Sequence, residues 1–325
     1  MQLLKDILYG VHIEQVQGST AIEVDYLTFD SREVTPTSVF FAIKGVLRDG
    51  HDFIPDVCEK GCLAIIAEQE VEVPENVHLI VVKDTHEALA LMASNFYDEP
   101  STKLKLVGVT GTNGKTTVST LLFRLYSKLG YQCGLISTVV NRICEREIPT
   151  SHTTPNPIIL NQLLAEMVEE GVSHCFMEVS SHAIHQNRIL GLRYAGGVFT
   201  NITHEHLDYH KTFQEYISVK KRFFDGLSKD AFAITNLDDK NGSVMLQNSA
   251  ARHRVYALKT MADYHGKVLE NQFSGLVLNI NGKELWTKLI GDFNAYNILA
   301  VFAVAQELGE DETEVLTALS ELNSV

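Results

Sequence analysis

Gly108-Val109-Thr110-Gly111-Thr112-Asn113-Gly114-Lys115-Thr116-Thr117 follows the apolar segment Leu104 to Val107 and runs into Val118 to Leu129, whose apolar spacing predicts a helix. A strand, a glycine-bearing turn and a helix in that order read as a phosphate-binding loop. Its backbone N–H groups and the N-terminal end of the helix offer donors and a positive partial charge to a polyphosphate. Lys115 would add a point charge at the terminal phosphates, and Thr116 would offer its hydroxyl to Mg²⁺. The usual Gly-x-x-x-x-Gly-Lys-Thr spacing puts its first glycine at position 109. This chain has Val109 there, with glycines at Gly108 and Gly111 instead. The strand and helix on either side carry the reading against the alternative of a surface turn that happens to contain Gly-Lys-Thr.

The rest of the chain sets that loop in an acidic, two-domain protein. At 325 residues it suits two domains, each large enough for its own core. Its 27 basic and 41 acidic side chains give a net charge of −14, which disfavours nucleic acid as a partner. An anionic ligand must therefore be held locally, by loops and a few placed cations. Cys58, Cys62, Cys133, Cys144 and Cys175 form no Cys-x-x-Cys pair, so neither a disulfide framework nor a zinc ribbon is expected. No apolar run is long enough to span a membrane, and the N-terminus lacks a signal-peptide pattern, so a cytoplasmic location is expected with no membrane partner. The absence of coiled-coil heptads gives no reason to expect more than a monomer.

Short apolar strands alternating with amphipathic segments predict an α/β protein with largely parallel sheets. Residues 1–100 read as a small N-terminal α/β domain with strands at Val39 to Ile43, Leu63 to Ala67 and Val77 to Val82 and a helix from Thr85 to Tyr97. Asp98-Glu99-Pro100-Ser101 is the expected hinge, and residues 101–325 read as a P-loop-type central domain. Further strands are expected at Cys175 to Val179, Gly197 to Thr200 and Ala231 to Asn236. Helices are expected at Pro157 to Glu170, Phe213 to Leu227, Tyr296 to Leu308 and Glu312 to Leu322.

Glu178 closes one of these strands, where open α/β sheets present ligands, and is a candidate Mg²⁺ ligand; a lone Glu there is also a common solvated residue. The run Thr200-Asn201-Ile202-Thr203-His204-Glu205-His206-Leu207-Asp208-Tyr209-His210 follows another strand. Its histidine spacing is not the His-Glu-x-x-His of a zinc enzyme; one histidine assisting a hard cation beside Glu178 fits better. Tyr216 to Phe224 reads as a helix whose Lys220, Lys221 and Arg222 form a solvated basic face on residue physics alone.

Together these motifs resemble the Mur ligases, the ATP-dependent amide ligases of peptidoglycan precursor synthesis, and within them the members that add the third stem-peptide residue. The carrying segments, in the family's order, begin with Asp30-Ser31-Arg32-Glu33-Val34, Phe40 to Gly45 and Asp49 to Ile54. They continue with Gly108 to Thr117, Thr153-Thr154-Pro155, Glu178 to Arg188, Thr200 to His210 and Gly291 to Asn297. The resemblance implies a uridine-binding N-terminal domain and a reaction in which ATP phosphorylates a carboxylate that an amine then attacks. It implies UDP-N-acetylmuramoyl-L-alanyl-D-glutamate and a diamino acid as partners, meso-diaminopimelate or alternatively L-lysine.

By the same resemblance, Gly111, Thr112, Asn113, Gly114, Lys115, Thr116 and Thr117 cradle ATP, with Asn294 and Asn297 near the nucleotide. Thr116, Glu178, His206 and Lys220 would hold Mg²⁺, Lys220 as a carbamylated lysine. Lys115, Lys220, Glu178 and His206 would be the catalytic set. Ser31 would meet the uridine end of the substrate, Thr153 and Thr154 its muramoyl and pyrophosphate part, and Ser180, Gln186 and Arg188 its peptide end. His152 stands where relatives often have Asn, and Glu205 where they have Asp. The family's third domain, with its Asp-Asn-Pro-Arg motif, has no counterpart in the sequence. The expectation is a truncated chain that retains part of both binding sites but cannot complete ligation. A folylpolyglutamate synthase-like ligase and a non-catalytic nucleotide-binding module are the rival readings. The first lacks the uridine-binding segment, and the second has no need of Lys115, Glu178, Lys220 and Arg188 together.

Overall fold

Residues 1–45, 48–150, 152–205 and 207–322 are described by a computed structural model. The chain forms two compact units. The first comprises Met1–Pro100 with Pro155–Ala165 and Gln186–Leu192, and the second Ser101–Thr154, Glu166–His185 and Arg193–Val325. The sequence division at residue 100 places the two excursions with the second domain. Ile158 instead packs on the first unit's core, and Gly191 lies against Leu91 and Ser94.

Strands Tyr26–Thr28, Ser38–Phe41, Ala64–Ala67 and His78–Val82 run parallel in the first unit, and Ile13–Gln17 closes one edge antiparallel to His78–Val82. The inner strands are apolar at every position but Ser38 and His78, because both of their faces are covered. Val39, Phe41, Ala64, Ile66, Ile80 and Val82 meet Ala88, Leu89 and Met92 of the helix Thr85–Phe96 on one face. Phe40, Ile65, Ala67, Leu79 and Val81 meet Ile54 and Val57 of the helix Ile54–Glu59 on the other. The helix Thr85–Phe96 begins at Asp84, which accepts from the N–H groups of His86 and Glu87. It is followed by Asp98 and Glu99 in the left-handed conformation.

The second unit is built on an eleven-stranded sheet. Seven neighbouring strands are parallel, in the order Cys133–Ile136, His174–Glu178, Lys105–Thr110, Gly196–Phe199, Phe232–Asn236, Arg252–Ala257 and Tyr264–Gln272. Antiparallel strands extend both edges: Asn141–Ile143 and Arg146–Ile148 on one side, Gly275–Ile280 and Lys283–Thr287 on the other. Helices Lys115–Lys128 and Asp292–Leu308 cover one face with Val118, Leu121, Leu125, Ile298, Leu299 and Phe302.

The connections locate the site. From Lys105–Thr110 the chain moves two places to Cys133–Ile136, steps back to His174–Glu178, and then appears on the opposite side of its starting strand as Gly196–Phe199. Winding reverses about Lys105–Thr110, and the crevice beyond the carboxyl end of such a strand is where open α/β sheets bind ligands. In register, Glu178 pairs with Val109 and Phe199 with Thr110, so the loops after all three strands open at one level. Among the described residues, no helix is long and apolar enough to cross a membrane.

Phe41→Ala removes a fully buried ring from the first unit. It should cost about 3–5 kcal/mol. Urea unfolding followed at a probe in that unit measures this, and a loss below about 1 kcal/mol would contradict the packing.

Candidate functional site

Two glycines of the loop are required by crowding as well as by backbone conformation. Gly111 has φ +149°, and a Cβ there would lie 2.0 Å from Thr200 Oγ1; Gly114 has φ +86°, and a Cβ would lie 2.6 Å from Asn297 Oδ1. Gly108 is needed for a different reason. A Cβ on that strand position would stand 2.6 Å from the Phe223 ring, 3.0 Å from Tyr194 and 3.0 Å from Val179. Thus Gly108 belongs to sheet packing, and Gly111 and Gly114 shape the loop.

Two lysines converge on that loop. Lys115 Nζ donates to the carbonyls of Gly111 at 3.1 Å and Thr112 at 2.7 Å. Lys220 Nζ donates to the same Gly111 carbonyl at 2.9 Å and approaches Thr110 Oγ1 at 3.5 Å. Lys220 also lies 4.7 Å from the Tyr216 ring centroid. Burial pushes the Lys220 amine well below the ordinary lysine range and nearby Lys115 adds to this, while Glu205 opposes it. Lys115 is lowered by burial and pulled back up by Glu178 and Glu205.

The buried position of Lys220 corrects the reading of a solvated basic face. On the helix Phe213–Asp225, Tyr216, Lys220, Phe223 and Phe224 share the apolar stripe, and Lys220 is 1% exposed. Lys221 turns away to Asp225 and the Gln247 carbonyl.

Glu178 is fully buried at its strand end. Its Oε1 accepts from the Thr138 N–H at 2.7 Å and its Oε2 from the Thr138 hydroxyl at 3.2 Å, so the solvated alternative fails. The Thr138 hydroxyl also lies 3.0 Å from the Thr153 hydroxyl, from which it can accept. Thr154 Oγ1 donates to the Glu178 carbonyl at 2.8 Å and accepts from the Ser180 N–H at 3.1 Å. Glu178, Thr153, Thr154 and Ser180 therefore form one cluster, within electrostatic reach of Lys115. On the helix Asp292–Leu308, Asn297 Nδ2 donates to Asn294 Oδ1 at 3.1 Å, and the Asn297 side chain lies beside Gly114.

Ser31, Gln186 and Arg188 belong to the first unit. The Ser31 carbonyl accepts from Lys60 Nζ at 2.6 Å. Gln186 Oε1 accepts from Arg188 Nε at 2.9 Å and Nη2 at 2.6 Å, which fixes the guanidinium plane. His206 lies outside the described residues. Among the described residues, no group of three or more His, Cys, Asp or Glu side chains comes together to hold a metal ion. Oxygen donors at Thr116 and Glu178 suit a hard cation that keeps water and phosphate oxygens as its other ligands.

The strand-end geometry is matched by family similarity over both units. Residues 109–305 match the Mur ligase middle domain, and residues 23–97 match the Mur ligase family catalytic domain. This chain belongs to the Mur ligase family. It is 54% identical over 99% of its length to UDP-N-acetylmuramoyl-L-alanyl-D-glutamate–2,6-diaminopimelate ligase of Cytophaga hutchinsonii, and 50% identical over 99% to the enzyme of that name from Phocaeicola vulgatus. The chain spans 66% and 67% of those relatives' lengths. A solved structure of a UDP-N-acetylmuramoyl-L-alanyl-D-glutamate–2,6-diaminopimelate ligase superposes over 100% of the chain and 67% of its own length, with TM-score 0.86 and 25% identity. MurF ligase from Thermotoga maritima, solved in complex with ADP, shares the fold at TM-score 0.63 and 22% identity, over 93% of this chain and 67% of its own.

Thr138, beside Glu178, was not singled out from the sequence; Thr200, Asn201 and Tyr216, which contact the loop, lie in runs quoted there but were given no role of their own. Helical spacing of Tyr216 with Lys220 and Phe224 was the signal available for Tyr216; Thr138 follows a strand end and carried none.

Lys220 gives this site a pH signature. Its folded pKa lies below that of the unfolded chain, so the unfolded state binds the extra proton between the two values and stability rises with pH across that window. In bicarbonate-free buffer, Lys220→Met should raise the urea midpoint at pH 7 and flatten its rise towards the ordinary lysine range. An unchanged slope would remove the buried-amine assignment.

Proposed function

We propose that this chain supplies the nucleotide- and sugar-nucleotide-binding units of an ATP-dependent amide ligase. The enzyme joins meso-diaminopimelate to UDP-N-acetylmuramoyl-L-alanyl-D-glutamate in the cytoplasm. The observation that carries the reading is the meeting of Lys115 and Lys220 on the Gly111 carbonyl, at the mouth of a phosphate loop flanked by buried Glu178. Relatives aligned over 99% of the chain are named for this reaction, which supports the choice of substrates.

The chemistry suits such a site. The substrate's terminal carboxylate takes the γ-phosphoryl group, leaving ADP and an acyl phosphate. The amine of the diamino acid adds to the carbonyl carbon, loses a proton, and the carbon–oxygen bond to phosphate breaks. Anions must be aligned and their charge neutralised, which is work for fixed donors and cations. The two loop glycines let Thr200 and Asn297 pack closely on the loop, and the start of the helix Lys115–Lys128 that follows presents unpaired N–H groups, so the loop fits a polyphosphate. Residues 111–117 would form the loop that cradles ATP, with Asn294 and Asn297 at the nucleotide. Thr116, Glu178 and His206 would hold Mg²⁺, which when bound neutralises phosphate charge.

Lys220 is suited to carbamylation because burial favours its neutral amine, the form that adds to CO₂. Loss of a proton then leaves a carboxylate on a long arm, a fourth metal-binding group. Ser31, Thr153, Thr154, Ser180, Gln186 and Arg188 would bind the acceptor sugar nucleotide.

Calorimetry tests the assignment. Mg-ADP and the acceptor should each bind one-to-one. Lys115→Ala should weaken ADP, and Arg188→Ala the acceptor, by about 10- to 100-fold, the worth of a charged hydrogen bond. Sound ADP binding with no acceptor binding would reduce the chain to a nucleotide module. Carbon-13 bicarbonate should give a carbamate NMR signal that Lys220→Met abolishes; its absence from the unmodified chain would remove the carbamate.

A further inference from the structure

Asn201, just beyond the strand Gly196–Phe199, grips the phosphate loop by its backbone. The Asn113 N–H donates to Asn201 Oδ1 at 3.0 Å, and Asn201 Nδ2 donates back to the Asn113 carbonyl at 3.1 Å. The Asn201 carbonyl accepts from the Thr112 N–H at 2.7 Å. Thr200 Oγ1 adds a bond to the Asn113 carbonyl at 2.6 Å, and the Thr203 N–H donates to Thr112 Oγ1 at 3.0 Å. The gripping segment is itself braced. Asn236 Nδ2 donates to the Thr200 carbonyl at 3.0 Å, and the Ile202 N–H donates to Asp239 Oδ2 at 2.9 Å.

The reciprocal pair with Asn113 requires a donor and an acceptor on one planar group, which a carboxamide supplies and a carboxylate or hydroxyl does not in the same geometry. Reversing the amide would set donor against donor and acceptor against acceptor, so the partners fix its orientation. The pair also divides the loop's donors. The N–H groups of Thr112 and Asn113 are committed to protein oxygens, which leaves those of Gly114, Lys115, Thr116 and Thr117, at the start of the helix, to face an anion.

We propose that Asn201 is a positioning residue that assembles the phosphate loop before nucleotide arrives, holding the Thr112 and Asn113 N–H groups away from the phosphates in the free and bound states alike. A loop ordered in advance loses less conformational freedom on binding, so the grip is read out as affinity. It also ties the loop to the segment leading to Glu205. The proposal rests on the nucleotide-binding reading of this site, but its geometry can be tested without nucleotide.

Amide hydrogen exchange by NMR on the isotopically labelled chain, with and without Mg-ADP, makes the test. Slow exchange at Thr112 and Asn113 is expected in both conditions, with ADP-induced shifts concentrated at residues 114–117. Asn201→Ala should speed Asn113 exchange and weaken Mg-ADP by about 10-fold, the scale of two hydrogen bonds. Asn201→Gln, which keeps both polar groups, should recover part of each. Fast Asn113 exchange in the unmodified chain would overturn the proposal, as would Asn201→Ala affinity within about twofold of the unmodified value. A melting temperature lowered without change in ADP affinity would likewise reduce Asn201 to a structural role and overturn it. Should Asn201→Ala fail to fold, exchange in the unmodified chain still decides. Failure of the unmodified chain to bind ADP would sink the nucleotide reading, leaving Asn113 exchange to judge the grip alone.

Discussion

The carbonyl of Gly111 accepts from both Lys115 and Lys220, and this double acceptance constrains everything around it. Two amines this close cannot both carry charge cheaply in a buried setting. The more buried one, Lys220, is pushed furthest towards neutrality, while Lys115 keeps more carboxylate support from Glu178 and Glu205. Burial and carboxylate support thus set apart two chemically identical side chains that share one acceptor. The sorting depends on the turn at Gly111, which exposes that carbonyl, and on the helix Phe213–Asp225, which brings Lys220 under it.

The parallel strands were legible because burial on both faces writes them as mostly apolar runs. Val77 to Val82, Cys175 to Val179 and Ala231 to Asn236 fall within a residue or so of His78–Val82, His174–Glu178 and Phe232–Asn236. The helix read from Val118 begins at Lys115, since the loop feeds directly into its first turn. The flanking strands Ile13–Gln17, Asn141–Ile143 and Arg146–Ile148 escaped the reading for the opposite reason. They are short or solvent-facing edge strands, and their polar residues carry no continuous apolar signal.

At the site, sequence order placed Lys115 where the loop meets its helix and Glu178 at a strand end, but it could not reveal contacts between segments far apart in the chain. Thr138 serves Glu178 from 40 residues away, and Asn201 serves Asn113 from 88. Lys220 is the instructive case. Three adjacent basic residues suggest a solvated face, yet helical periodicity puts the first of them among Tyr216, Phe223 and Phe224. Periodicity outranked composition because a buried stripe is defined by angle around the helix, and neighbours in sequence point about 100° apart.

Gly108 carries a consequence for how this protein can diverge. Its missing side chain is the space occupied by Phe223, Tyr194 and Val179. Any residue with a Cβ there would press on Phe223, one turn along the helix from Lys220. Smaller residues at 223 and 194 would have to arise together with a larger one at 108, since either change alone leaves a clash or a void. These three positions should therefore drift as a group across relatives, tied by volume, while Gly111 and Gly114 answer to the turn that follows the strand Lys105–Thr110.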